Sequence, residues 1–227
     1  MFILGMCYLN GEGVEQDNEK GKEFLQKAAD LGDSDAWFQL GNLYVIGRGV
    51  EQSYSKSLPF IQKAAELKNL YAIYMMGLYY QDGTGVEKDV NKAIECFKFT
   101  GENGNSEAYF NLGEMYDKGL DVEKNDYLAF DYFQKSAELG NSKALVKIGT
   151  FYADGKCVEK DYKRAFECFE KSAKKGNPNA LFYLGCYYAK GKGVEKNMAK
   201  AIETLLEFTR IRKSNFNFNL VYEGNVP

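Results

Sequence analysis

The chain has 227 residues, 45% hydrophobic and 15% aromatic, enough apolar material for a folded core and too much for an intrinsically disordered chain. Its 29 basic and 32 acidic side chains are interspersed and leave a net charge of -3, which gives no basic stripe for nucleic acid and no basic helix for an anionic membrane. It contains no histidine, so Ser/His, Cys/His and His-Glu-x-x-His catalytic arrangements are excluded, and no apolar run approaches the roughly 18 residues of a membrane span.

A period of 36 residues organises the chain. Glycines recur at Gly5, Gly41, Gly77, Gly113, Gly149 and Gly185, and again at Gly11, Gly47, Gly83, Gly119, Gly155 and Gly191. A Val-Glu pair follows at Val14-Glu15, Val50-Glu51, Val86-Glu87, Val122-Glu123, Val158-Glu159 and Val194-Glu195. A fixed period of this length means stacked supersecondary units. The repeats fall near 1–32, 33–68, 69–104, 105–140, 141–176 and 177–212, with a divergent cap or tail over 213–227.

The first repeat opens on Met1-Phe2-Ile3-Leu4. Phe2 and Leu4 match Phe182 and Leu184 and no basic flank accompanies them, so the stretch reads as a structural helix of a part repeat rather than a targeting segment. In each repeat a first helix, A, is expected, running from Asp35 to Ile46 in the second. There Ala36, Leu40 and Tyr44 form a stripe at four-residue spacing. Gly41 interrupts it at a cost of about 1 kcal/mol relative to alanine, and its recurrence in every repeat points to close approach of a partner helix. Helix A is expected to stop at Gly47 and its equivalents, since glycine takes the left-handed C′ position most easily. The next loop glycine (Gly13, Gly49, Gly85, Gly193) is Asp121 and Cys157 in the fourth and fifth repeats. The backbone demand there is either weaker or met by residues that tolerate it poorly.

Helix B is expected to start after Asp17, Ser53, Asp89, Asn125, Asp161 and Asn197, each able to accept from the first-turn amides. It buries Ala165, Phe166, Phe169 and Ala173 in the fifth repeat and ends at Gly32, Gly104, Gly140 and Gly176, with Lys68 in the remaining place. Pro178 suits the first turn of the following helix. Pro59 lies inside helix B, where it removes a hydrogen bond, so that helix is expected to start late with Ser57 as its cap, or to kink. The tail keeps an Asn/Phe alternation without the small residues of tight stacking and is expected to cap the last repeat or to fray.

The set Ala180, Leu184, Gly185, Tyr188, Gly191, Gly193, Val194, Asn197 and Ala201 resembles the Sel1-like repeat, a relative of the tetratricopeptide repeat, and the resemblance covers about 1–212. It implies an all-α fold, an alpha-alpha superhelix (solenoid) of about six stacked helix-turn-helix repeats. It also implies adaptor roles in assembling other proteins. A secreted cysteine-rich branch of that family staples each repeat with a disulfide and is reported to bind penicillin. The matching positions here are Ala29 and Ala36, Ala65 and Ala72, Ala137 and Ala144, Ala173 and Ala180, and Gly101 and Ala108, with no cysteine among them.

The five cysteines, Cys7, Cys96, Cys157, Cys168 and Cys186, are odd in number and lack a C-x-x-C pair. That speaks against a disulfide framework and the usual zinc sites, and favours a reducing compartment such as the cytoplasm. Cys96 and Cys168 share a phase two repeats apart, about 20 Å at 8–10 Å per helix layer, beyond disulfide reach. Cys157 is expected to be the most exposed thiol. Loops such as Gly47-Arg48-Gly49 follow helices and lack G-K-[ST], so they read as caps rather than phosphate cradles. The loop glutamates are expected to accept backbone amides near helix B, and Tyr8, Tyr44, Tyr80, Tyr116, Tyr152 and Tyr188 to form a core column with Trp37.

Function is expected on the side of helix A that does not repeat. At 100° per residue this side collects Asp35, Gln39, Asn42 and Ile46, and in later repeats Tyr71, Met75 and Leu78; Glu107, Asn111 and Glu114; Lys143 and Lys147; Asn179 and Tyr183. Its chemistry grades from apolar in the first and third repeats (Ile3, Met6, Tyr71) through acidic in the fourth to basic in the fifth. Helix A lines the concave surface of helix-pair solenoids. The resulting expectation is a non-enzymatic protein–protein interaction scaffold, without cofactor or metal, that takes a protein or peptide with an apolar anchor in that groove. A small-molecule binder or hydrolase of the β-lactam type and a structural spacer of a larger multidomain protein remain the alternatives.

Overall fold

The computed structural model describes residues 1–222, with side chains as far as Lys213. It divides into two compact units, Met1–Gly104 and Asn105–Pro227. The first holds α1 (Phe2–Asn10), α2 (Asn18–Asp30), α3 (Ser34–Ile46), α4 (Tyr54–Glu66), α5 (Leu70–Asp82) and α6 (Val90–Glu102). The second holds α7 (Ser106–Lys118), α8 (Asp126–Glu138), α9 (Ser142–Asp154), α10 (Tyr162–Lys174), α11 (Pro178–Lys190) and α12 (Met198–Tyr222). Odd numbers are A helices and even numbers B helices. There is no strand among the described residues, and the fold is the expected all-α solenoid of six helix pairs.

Each pair is held by glycine facing bulk. A methyl built on Gly149 would lie 2.5 Å from Phe169 Cε1, and one on Gly113 2.6 Å from the Phe133 ring, so helix A has room for a hydrogen atom only. The B-helix residues that fill this space, Leu25, Ile61, Phe97, Phe133 and Phe169, are fully buried. Full burial of such a side chain contributes about 1.5–3 kcal/mol, which outweighs the roughly 1 kcal/mol that glycine costs the helix.

The loop between the helices closes on its own main chain. Gly47 adopts φ 69° and its N–H donates to the Leu43 carbonyl. The Ser53 N–H then donates to the Tyr44 carbonyl at 2.9 Å, and the same bond recurs from Asp17 to Tyr8, Asp89 to Tyr80, Asn125 to Tyr116, Asp161 to Tyr152 and Asn197 to Tyr188 at 2.9–3.0 Å. Where the second loop glycine is missing, Asp121 (φ 56°) and Cys157 (φ 53°) keep the left-handed conformation, as Lys68 (φ 62°) does after α4. The backbone demand is undiminished and the side chain is strained to meet it.

The six helix-B caps are as expected, for instance Asp17 accepting from Lys20 N–H at 2.9 Å and Asn197 from Lys200 N–H at 2.9 Å. A second set caps the A helices: Asp33, Asn69, Asn105, Asn141 and Asn177. These follow the helix-B terminal position at a fixed offset and were legible in the sequence, each contributing about 1 kcal/mol.

Three expectations are corrected. α4 starts at Tyr54 with Ser53 as its cap, accepting from Lys56 N–H at 3.3 Å, and Pro59 is accommodated inside the helix. Ser57 is no cap: it is fully buried at the helix-B position that is Ala93, Ala129 and Ala165 elsewhere, 3.4 Å from the Tyr79 hydroxyl. The repeated tyrosines are half-buried, and the buried column is the residue before each, Leu43, Tyr79, Met115, Phe151 and Tyr187. The tyrosine rings turn toward helix B instead, as in the stacked pair Tyr8–Phe24 at 5.6 Å. The loop glutamates Glu15, Glu51, Glu87, Glu123, Glu159 and Glu195 are exposed, because the cap side chains take the first-turn amides of helix B. Cys157 is half-buried, as the other four thiols are, with Sγ 3.3 Å from the Asp126 carbonyl oxygen.

The helix of the last repeat runs on to Tyr222 without a break after residue 212. The side chains on which the expected cap over 213–227 depends lie outside the described residues.

Candidate functional site

In the first compact unit the unrepeated side of the A helices is apolar over Tyr71, Met75 and Leu78 of α5 and mostly polar on α3. Tyr71, on the first turn of α5, is 66% exposed, with its ring 5.8 Å from that of Phe38 on α3. Met75 and Leu78 stand one and two turns further along α5, both half-buried, and Met75 packs on the core cluster of Ile61, Ala64, Ala72, Met76 and Tyr79. Gln39 and Asn42 of α3 are half-buried. Asp35 is engaged within the chain: its Oδ1 accepts from Asn69 Nδ2 at 2.7 Å. Phe38 was missed in the sequence reading, although it lies on the α3 side nearest the repeat that follows.

In the second compact unit the same side carries charge, and the charges are joined to one another. Lys143 Nζ lies 3.1 Å from Glu107 Oε1. Glu114 is ion-paired with Lys118 on its own helix and with Lys147 on α9. Lys147 also reaches Asp117 at 3.6 Å; Lys156 pairs with the same Asp117 and with Asp126 at 3.0 Å. Burial disfavours the Glu114 anion, but the Lys118 and Lys147 ammoniums more than offset that, and its carboxyl is held below the ordinary glutamate range. Burial likewise opposes the Lys156 cation, and the Asp117 and Asp126 carboxylates more than restore it, raising its pKa. The lysine ammoniums lie over rings: Lys143 Nζ over Phe110 at 5.9 Å, Lys147 Nζ over Phe133 at 5.7 Å and Lys156 Nζ over Phe151 at 4.5 Å.

Of the sequence-selected residues, then, Glu107 pairs with Lys143, and Glu114 and Lys147 belong to a separate ionic network that also recruits Lys118, Asp117, Lys156 and Asp126. A base placed 33 or 39 residues after an acid, one repeat plus or minus about a turn, was the available signal. Asn111 is half-buried within this unit, and Asn179 is exposed on α11. Tyr183 is stacked on the buried Phe169 at 4.6 Å and belongs to the packing of α10 against α11.

Among the described residues no group of His, Cys, Asp and Glu is placed to hold a metal ion, and no helix is long and apolar enough to cross a membrane.

Comparison with known proteins places this geometry in context. The Sel1 repeat family model matches residues 1–33, 34–69, 70–105, 106–141, 142–177 and 178–203. A Sel1 repeat protein from Oxalobacter formigenes is similar in structure, with 32% identity and a TM-score of 0.85 over 92% of this chain and 86% of that one. So is c5321, a protective antigen of uropathogenic Escherichia coli with the same repeat fold: 32% identity and a TM-score of 0.85 over 99% of this chain, which spans 49% of that antigen. An immunity protein of Pseudomonas aeruginosa, Pa5087, is more distant, at 25% identity and a TM-score of 0.53 over 83% of this chain and 74% of its own. No curated protein sequence matches the chain.

Proposed function

The chain belongs to the Sel1 repeat family, and from that premise we propose that it is a non-enzymatic scaffold whose A-helix face docks a partner protein or peptide. The Sel1 repeat fold is commonly used for protein–protein interaction and the family is generally non-catalytic. The observation that carries the reading is the exposure of Tyr71 beside Phe38, on the side of α5 that also carries the half-buried Met75 and Leu78 and faces away from Ala72, Met76 and Tyr79. A cluster of two aromatic rings and two flexible apolar side chains is the composition of an interface anchor. The partner is an amphipathic segment that lays apolar residues on this cluster. The paired charges of α7 and α9 are not offered to the partner as a free field; their work is to fix the spacing of neighbouring A helices.

The test is a peptide selection against the purified protein, counter-screened with the Tyr71→Ala, Met75→Ala, Leu78→Ala triple variant. Selected peptides that lose about tenfold or more in affinity for the variant (about 1.4 kcal/mol) support the reading. Peptides that bind both proteins equally, while circular dichroism shows the variant folded, remove this surface from consideration.

A further inference from the structure

One position on the B helix distinguishes the third repeat from its neighbours. In the second repeat this position is Phe60, whose ring is clasped between Trp37 (6.0 Å) and Tyr44 (5.6 Å). In the fourth it is Tyr132, clasped between Tyr109 (6.0 Å) and Tyr116 (5.8 Å). The third repeat has Cys96, and the two clasping positions are Ile73 and Tyr80. The backbones approach alike: a methyl built on Gly41 would lie 3.2 Å from Phe60 Cβ, and one on Gly77 3.1 Å from Cys96 Cβ. What is missing, besides one clasping ring at Ile73, is the central ring. Where it would stand, an open pocket of about 430 Å³ is lined by Ile73, Met76, Tyr80 and Cys96, with Gln62 and Glu66 of α4 at its polar border.

The fifth repeat also has cysteine here, Cys168, but there Phe130 of α8 turns its edge to Tyr152 at 5.7 Å. The residue corresponding to Phe130 beside Tyr80 is Leu58, and no ring is packed on Tyr80 among the described residues; the Lys92 ammonium sits over it at 5.2 Å.

We propose that the Ile73–Tyr80–Cys96 pocket is a binding site for one aromatic side chain (Phe, Tyr or Trp) of a partner polypeptide, which completes the clasp the second and fourth repeats fill for themselves. The occupant is a protein side chain because the space reproduces the position of a side-chain ring of this fold and opens to the surface between α4 and α6 rather than being sealed. Tyr80 offers a face or an edge for stacking, and Met76 and Cys96 offer soft, polarisable walls. The site lies on the side of α5 opposite Tyr71, Met75 and Leu78 and is independent of the docking face proposed above.

The probes are N-acetyl amides of tryptophan, tyrosine, phenylalanine, leucine and alanine, titrated while the Ile73 and Met76 methyl resonances are followed. The ring-bearing amides are expected to shift both methyls and the alanine amide neither. Cys96→Phe supplies the missing ring and is expected to weaken the ring-bearing amides by about tenfold or more while leaving the melting temperature equal or higher. The reciprocal variant Phe60→Cys is expected to create a second site, read by a change in Trp37 emission on adding the phenylalanine amide. The proposal fails if no ring-bearing amide moves the methyls, if the leucine amide does so equally, or if Cys96→Phe binds as the parent protein does. It also fails if free phenol or indole binds while the side-chain amides do not.

Discussion

Lys143 and Glu107 occupy equivalent helical positions in successive repeats, and their charged atoms meet at 3.1 Å. Identical positions in the period are therefore neighbours in space within the second compact unit, and the ionic network of Glu114, Lys147, Asp117 and Lys156 joins positions displaced from identity by about one or two turns.

Glu114→Gln should destabilise the protein by about 1 kcal/mol, since the pair is partly screened, lowering the melting temperature by about 2–4 °C. Its folded carboxyl titrates below the unfolded one. The stabilisation is therefore present above the unfolded value, about 4.3, and lost as pH falls through the folded value. Thermal melts of the two proteins should converge in that acidic window. A gap that persists unchanged below it would assign the effect to packing. Lys156, whose pKa is raised, contributes in the opposite sense: its share is complete below the unfolded lysine value and disappears as pH climbs through the folded one.

Gly149→Ala should lower stability by about 1–3 kcal/mol through overpacking, although alanine is the better helix former, because the new methyl would fall 2.5 Å from Phe169. Urea denaturation measures it. Combining the change with Phe169→Leu should recover part of the loss.

Lys68→Gly should stabilise by about 0.5–1 kcal/mol, the left-handed strain removed less the added freedom of the unfolded chain. Lys68 is exposed at φ 62°, so little contact is given up. The parallel change Cys157→Gly should gain less, because Cys157 packs on the Phe133–Phe151 cluster and its thiol approaches the Asp126 carbonyl.

Pro59→Glu should stabilise α4 by about 1–3 kcal/mol by restoring an internal N–H donor. Pro59 is exposed, and the other repeats place Glu23, Glu95, Asp131, Glu167 and Glu203 at this position. A calorimetric melting temperature at or below that of the parent would show that the helix has already relaxed around the proline.

The helix count, the loop conformations and the role of Gly41 and its equivalents were legible because each is dictated by an element's own period or by one backbone angle. Side-chain direction was harder. Tyr44 and Leu43 are adjacent and both apolar, so the stripe could be drawn through either; the structure buries Leu43 and turns Tyr44 onto Phe60. Ser57 was misread for a similar reason: a serine two residues before a proline looks like a cap, and only its place among Ala93, Ala129 and Ala165 reveals a close-packing position. At the candidate site, periodicity identified Glu107, Glu114, Lys143 and Lys147 as one variable face. It did not say that members of that face touch each other, because a repeat length gives equivalence and not distance. The pocket at Cys96 is the converse case, a vacancy visible only when the ring clasps of neighbouring repeats are laid beside it.

The bond from each helix-B cap to the tyrosine carbonyl nine residues earlier is made by main chain alone and closes the loop as a ring of fixed circumference. Side chains on that ring can change, as Asp121 and Cys157 show, but a residue added or removed within it would break the closure and turn helix B off its seat. Such a molecule can gain or shed length in whole modules and scarcely in any smaller step, so its size is quantised by the repeat.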